Sequence, residues 1–266
     1  MVTTFRCGYL VAMNETSPET SALIIGASYA GLVTAVALQA RGWSVTVIER
    51  SRNQLRTGAG VVVQQRMADY LNARGIRFPG VKSVPAQERK LLFPDSNVVR
   101  MPESAAGYAA WDVLLREMEN LLRPGTIQRG VSLVEIPGGG AAGEVVLSDG
   151  SVRRADIVVA ADGIGSRTRN ILLPGETPHY AGYVAWRGTV LERDVPPRLL
   201  ELFGDSFVSY ENHGINILTY EIPGPDGQTE LGERRLNWVW YANVVDVDEL
   251  ERVLTDTDGT VHRSTV

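Results

Sequence analysis

The sequence predicts an α/β protein: a Rossmann-like nucleotide-binding domain and a second, smaller domain built on a mixed β-sheet. Three observations predict it. Near the start, a strand, a glycine turn, a helix and a second strand follow one another within about 30 residues, which makes one βαβ unit. A further buried strand ends at Asp162-Gly163. Beyond Pro174 the chain turns to four strand-like, aromatic segments in succession.

Each element has its own signal. Ala22 to Ile25 is a short apolar run closed by Gly26, which reads as a buried parallel strand. Apolar residues recur at helical spacing from Ala30 to Arg41, and Gly42 is the stop. Val45 to Ile48 is the second strand, ending at Glu49. Val63 to Arg74 reads as a helix, and Arg89 to Met101 as a hairpin around Pro94-Asp95-Ser96-Asn97. Trp111 to Leu122 is an amphipathic helix stopped before Pro124-Gly125. Strands follow at Val131 to Glu135, at Glu144 to Arg154 (folded at Ser148-Asp149-Gly150) and at Asp156 to Ala161. The four aromatic segments are Tyr180 to Leu191, Phe207 to Tyr210, Ile215 to Ile222 and Leu236 to Ala242. Val247 to Leu254 closes the series as a short helix. The Trp238/Trp240 pair reads as sheet core.

Composition narrows the function. The 266 residues carry a net charge of −5 and no Lys/Arg-rich run, so nucleic acid is not an expected partner. Cys7 is the single cysteine, and His179, His213 and His262 lie far apart, so neither a disulfide nor a metal site is expected. No apolar run approaches the roughly 20 residues that cross a bilayer. The expected location is the cytoplasm, with no membrane partner.

The first turn reads Gly26-Ala27-Ser28-Tyr29-Ala30-Gly31, the dinucleotide fingerprint with Ser in place of its second glycine. The first glycine permits the tight turn, the small second residue lets backbone approach a pyrophosphate, and the third lets helix and strand pack closely. Phosphates belong on the helix N-terminus, where free N–H groups and the dipole favour anions. Glu49 is placed to accept hydrogen bonds from both hydroxyls of an adenosine ribose. The competing reading is a glycine-rich turn in an ordinary α/β fold.

Two further stretches, Gly58 to Gln65 and Asp156 to Arg169, separate FAD from NAD. The second resembles the D-x-x-x-x-A-D-G-x-x-S-x-x-R signature of the FAD-dependent aromatic hydroxylases, the single-component flavoprotein monooxygenases. Tyr180 to Gly188, Ala110 to Leu114 and Asn237 to Tyr241 are similar to a hydroxypyridine-acting subgroup of that family. The resemblance covers about Ser21 to Val261. It implies that Gly26, Ser28, Tyr29, Ala30 and Gly31 line the pyrophosphate, and that Glu49 holds the ribose with Arg50 near the adenine. It implies too that Gly60 passes close to the isoalloxazine with Gln65 as a hydrogen-bonder, and that Asp162, followed by Gly163, holds the ribityl chain. The domains then run 21–76 and 102–176 for FAD, and 77–101 and 177–266 for substrate, after a disordered extension over 1–20.

The implied activity is hydroxylation of an electron-rich aromatic or N-heteroaromatic ring, phenol- or hydroxypyridine-like. NADH or NADPH would reduce the FAD and O2 would supply the oxygen; the implied partners are that small aromatic substrate and O2, and a homodimer is the assembly considered. Candidate substrate residues are Tyr183, Arg187 and His213. Arg187 either stabilises an anionic substrate or makes a strand-edge ion pair, and His213 either shuttles a proton or is a solvated turn residue. No catalytic base is assigned. The chain departs from the family twice: Trp111 stands where many relatives have an Arg, and the later Gly-Asp-Ala motif is not found before Val266. Two rivals therefore stay open, a non-hydroxylating flavin oxidoreductase and a truncated, catalytically incompetent fragment.

Overall fold

The computed structural model describes residues 20–53, 59–62, 65–73, 75, 81–102, 107–140 and 143–262. The extension expected over 1–20 falls on residues 1–19, outside the described residues. The chain opens with β1 (Ser21–Ile25), α1 (Tyr29–Gln39) and β2 (Ser44–Glu49), as the apolar pattern requires. A short β3 (Gly60–Val62) and α2 (Gln65–Asn72) follow, then the hairpin β4 (Glu88–Leu92) and β5 (Val98–Pro102). Next come β6 (Tyr108–Ala110), α3 (Trp111–Asn120), β7 (Ile127–Arg129), β8 (Leu133–Glu135), β9 (Glu144–Leu147), β10 (Val152–Arg154), β11 (Ile157–Ala160) and α4 (Arg167–Leu172). The remainder is β12 (Tyr183–Leu191), α5 (Pro197–Phe203), β13 (Ser206–Asn212), β14 (Ile215–Ile222), β15 (Arg235–Asn243) and α6 (Val247–Val253).

The first sheet is parallel throughout, in the order β11-β1-β2-β7. One face packs on helices: Ala22, Ile24, Val45 and Val47 bury against Leu32, Ala35 and Val36 of α1 and Leu114, Leu115 and Met118 of α3. The other face, through Leu23, Ile25 and Ile48, packs on Leu133, Val145 and Leu147 of the small antiparallel sheet β10-β9-β8. Both faces are covered, which is why these strands are continuous apolar runs.

The second large sheet has six strands in the order β12-β15-β14-β13-β4-β5. Only the β13–β4 pair is parallel, so the sheet is mixed. Tyr108 and Ala110 of β6 and Val113 of α3 bury against Phe207, Tyr220 and Ile222 of this sheet. Its opposite face carries Trp186 and Trp240 at a ring separation of 5.2 Å, with Trp238 over Gly188. Trp238 and Trp240 are 36% and 40% exposed, so the pair is not core as its sequence pattern suggests. Just before β15 begins lies a largely buried charge cluster. Arg234 pairs with Glu192, with Asp205 at 2.9 Å and with Glu221 at 3.0 Å. No described helix is long and apolar enough to cross a membrane, and no described cluster of His, Cys, Asp or Glu is placed to hold a metal ion.

Candidate functional site

Strand polarity builds the site. β1, β2 and β11 run parallel, so Gly26, Glu49 and Asp162 emerge together at their C-terminal ends. β1 has β2 on one side and β11 on the other, so this is the point where the winding direction switches, and ligands of open α/β sheets bind there. Gly26 has φ +106°, and a Cβ on it would lie 2.4 Å from the Ala161 carbonyl oxygen. A Cβ on Gly31 would lie 1.9 Å from the Gly26 carbonyl oxygen. Both glycines are required by close approach of backbone to backbone. The Ser28 side chain makes no capping hydrogen bond, and the first turn of α1 holds no acidic residue. The positive end of this helix is therefore open to an anion.

Two carboxylates are held in place by backbone donors. Glu49 accepts from the Ala27 N–H at 2.9 Å and the Ser51 N–H at 2.8 Å, one on each oxygen. A carboxylate accepts about four hydrogen bonds, so each oxygen keeps capacity for a ribose hydroxyl. Asp162 accepts from the Ser166 hydroxyl at 2.7 Å, and from the Thr168 N–H and hydroxyl at 3.0 Å each. Partial burial alone would raise its pKa; the hydrogen bonds from Thr168 and Ser166 outweigh that and hold the carboxyl below its ordinary value. Asp162 thus stays ionised, shapes the turn into α4 and retains one acceptor position for a flavin-chain hydroxyl. Gly163 takes φ +74° in that turn. Arg50 is exposed at the end of β2. Gln65 begins α2, and its side chain lies outside the described residues. Tyr29 packs against Trp111 with ring centroids 5.7 Å apart, so this tryptophan stands beside the fingerprint helix. A glycine cradle, an open helix end and two carboxylates with spare acceptors fit an adenine dinucleotide such as FAD.

The six-stranded sheet approaches this crevice through β3. The Gly60 N–H donates to Asn237 Oδ1 at 2.8 Å. On the same sheet face, cross-strand register aligns Arg187 with Val239 and Leu218, and Asn237 with Tyr220. Arg187 makes no ion pair among the described residues. Its charge reaches Tyr220. Burial pushes the Tyr220 phenol up to about 12, opposed by the Arg187 charge and by the Asn237 side chain. Tyr183 lies on this face too, its ring 5.9 Å from that of Tyr241. His213 is in the β13–β14 turn at φ +24°, on the rim of a shallow hollow of ≈ 340 Å³ shared with Glu211, Asn216 and Tyr241. Along β14 it stands about 17 Å or more beyond Tyr220, at roughly 3.4 Å per residue. Sequence reasoning missed Tyr220, Asn237 and Tyr241 as a group. The available signal was that they share the Arg187 face once β12, β14 and β15 are paired.

A crevice of this kind, at the switch point of a parallel sheet, is that of a dinucleotide-binding protein. Residues 19–199 match the FAD binding domain family and residues 180–266 the FAD binding domain-like family. The chain belongs to the FAD binding domain family. It is similar to 2,6-dihydroxypyridine 3-monooxygenase of Paenarthrobacter nicotinovorans, 30% identical over 247 residues, covering 91% of this chain and 61% of the relative. It is similar also to 2-heptyl-3-hydroxy-4(1H)-quinolone synthase of Pseudomonas aeruginosa, 31% identical over 186 residues, covering 64% and 47%. Among solved structures, 2,6-dihydroxypyridine-3-hydroxylase from Arthrobacter nicotinovorans superposes with a TM-score of 0.80 at 29% identity, over 92% of this chain and 62% of that one. The chain thus spans less than two thirds of the length of these relatives.

Proposed function

We propose that the protein binds FAD across the Gly26–Glu49–Asp162 crevice and serves the hydroxylation of an electron-rich N-heteroaromatic ring. NADH or NADPH is the proposed reductant and O2 the oxygen donor. The observation that carries this reading is the convergence of two parts. A crevice fit for FAD sits beside a sheet face that offers aromatic rings and one cation, Arg187, without an ion-pair partner among the described residues. The two relatives are named for a dihydroxypyridine and a hydroxyquinolone, both ring systems that form oxyanions, which supports a hydroxypyridine-like substrate.

FAD, when bound, supplies hydride acceptance and oxygen activation. The protein's own groups do the rest. Glu49 and the first turn of α1 hold the nucleotide end, and Asp162 holds the chain leading to the ring. Arg187 favours the deprotonated form of the substrate hydroxyl, which makes the ring more nucleophilic. Tyr220, kept protonated at neutral pH by burial, is held by Asn237 beneath this face and keeps it rigid. Tyr183 bounds the face beyond Tyr241, and His213 serves the outer rim, where protons exchange with water. The proposed site of action is the cytoplasm. The proposed assembly is a homodimer, which sedimentation velocity tests.

The deciding experiment titrates the purified chain with FAD and then measures NADH and NADPH oxidation with and without 2,6-dihydroxypyridine. Saturable flavin binding, ring-stimulated oxidation and a product heavier by one oxygen are expected. A chain that takes up no FAD sinks the reading. Oxidation without a hydroxylated product favours the non-hydroxylating oxidoreductase instead.

A further inference from the structure

β15 turns a row of side chains toward the crevice: Arg235, Asn237, Val239 and Tyr241. The first two grip neighbouring elements. Arg235 donates to both carboxylate oxygens of Asp112, at the start of α3, at 3.0 Å each. Asn237 is 3% exposed and accepts the Gly60 N–H. Gly60 faces Ala110 across the β3–β6 pair, one residue before α3 begins. β3 has β6 as its ladder partner, and the Gly60 N–H finds in Asn237 the acceptor that a strand on the other side would otherwise supply. Gly60 leaves no space for a side chain: a Cβ would lie 2.5 Å from Tyr220 Cε2 and 2.7 Å from Asn237 Cγ. Main chain therefore rests directly on the sheet. Past this contact the row runs through buried Val239 to half-buried Tyr241, with Arg187 beside Val239 on the neighbouring strand.

We propose that Asn237 is a positioning residue: it sets the height of strand β3, and so of the flavin edge that β3 flanks, above the ring-binding face of the six-stranded sheet. This rests on the FAD reading above. A displacement of about 1 Å between reacting partners costs much of the advantage of alignment, so a fixed contact at this junction bears on the chemistry without touching substrate. The contact does not involve the phosphate or ribose ends of the crevice. Its loss separates flavin environment from flavin affinity.

The test uses the full chain with FAD as the probe, in wild type, Asn237→Ala and Asn237→Asp. Aspartate keeps an acceptor for the Gly60 N–H; alanine does not. For Asn237→Ala, FAD affinity is expected within about threefold of wild type, because the nucleotide anchors are intact. Its bound flavin shows a shifted visible band and raised fluorescence, and the Gly60 amide exchanges about tenfold faster or more. Asn237→Asp restores both toward wild type. A wild-type flavin spectrum in folded Asn237→Ala overturns the proposal, as does an aspartate variant no closer to wild type than alanine. If the alanine variant does not fold, the aspartate variant decides alone: a preserved spectrum and protected Gly60 amide support the role, and their loss overturns it. A wild-type chain that takes up no FAD overturns the FAD reading itself, and is recognised because the defect precedes any substitution.

Discussion

Two residues show how much one position carries. Gly31 packs α1 onto the first turn so closely that a Cβ would reach within 1.9 Å of the Gly26 carbonyl oxygen. Gly31→Ala must push backbone apart where the pyrophosphate would sit, and FAD affinity is expected to fall by about tenfold or more, some 1.4 kcal/mol, read by fluorescence titration. Glu221 is the second. Burial, opposed by the Arg234 charge, pushes its carboxyl from 4.5 up to about 7, with Glu192 and Asp205 adding repulsion. The folded protein then holds a proton that the unfolded chain has released. The resulting stability is complete below pH 4.5 and is lost as the pH rises through about 7. Urea midpoints across pH 5 to 8 are expected to fall more steeply in wild type than in Glu221→Gln, and parallel profiles would count against this account. Gly26, Gly31 and Glu49 were legible in the sequence because their reasons are local: a turn, a close approach and a strand end. Asn237 and Tyr220 were not, because Asn237 acquires its role from Gly60, 177 residues away.

At the level of elements, the Asp112–Arg235 pair ties the start of α3 to the start of β15. Both side chains are 8% exposed and the geometry is bidentate. Asp112→Ala strands the Arg235 charge in a dry site, and a loss of about 3–5 kcal/mol is expected from urea unfolding. The sequence displayed the long strands well, since β12, β14 and β15 each run eight or nine residues with aromatic and β-branched content. It hid β3, β6 and β7, which have three residues each and exist through pairing rather than propensity. It hid α5 as well, where Pro196-Pro197 resembles a loop although Pro197 occupies the first helical position. The Trp238/Trp240 reading failed for a different reason. Alternation identifies which residues share a face but not which face is covered.

Across the whole molecule, the fold class followed from order alone: a βαβ start, an Asp-Gly strand and a late run of aromatic strands. The mixed character of the larger sheet rests on one junction, the parallel pairing of β4 with β13. That pairing joins segments more than a hundred residues apart, and periodicity carries no information about it. β11 closes the parallel sheet on one side, and its outer row of N–H and C=O groups has no ladder partner among the described residues. Ile157, at its start, is 42% exposed. In colloidal terms this is an adhesive rim, a template on which an extended strand from another molecule can register. Self-association that grows with concentration is therefore expected by light scattering, and Ile157→Lys is expected to suppress it while leaving FAD uptake unchanged. The same parallel alignment that gathers the nucleotide crevice at one end of β11 leaves its side without a ladder partner among the described residues, so the expected self-association and the proposed cofactor site trace to one strand.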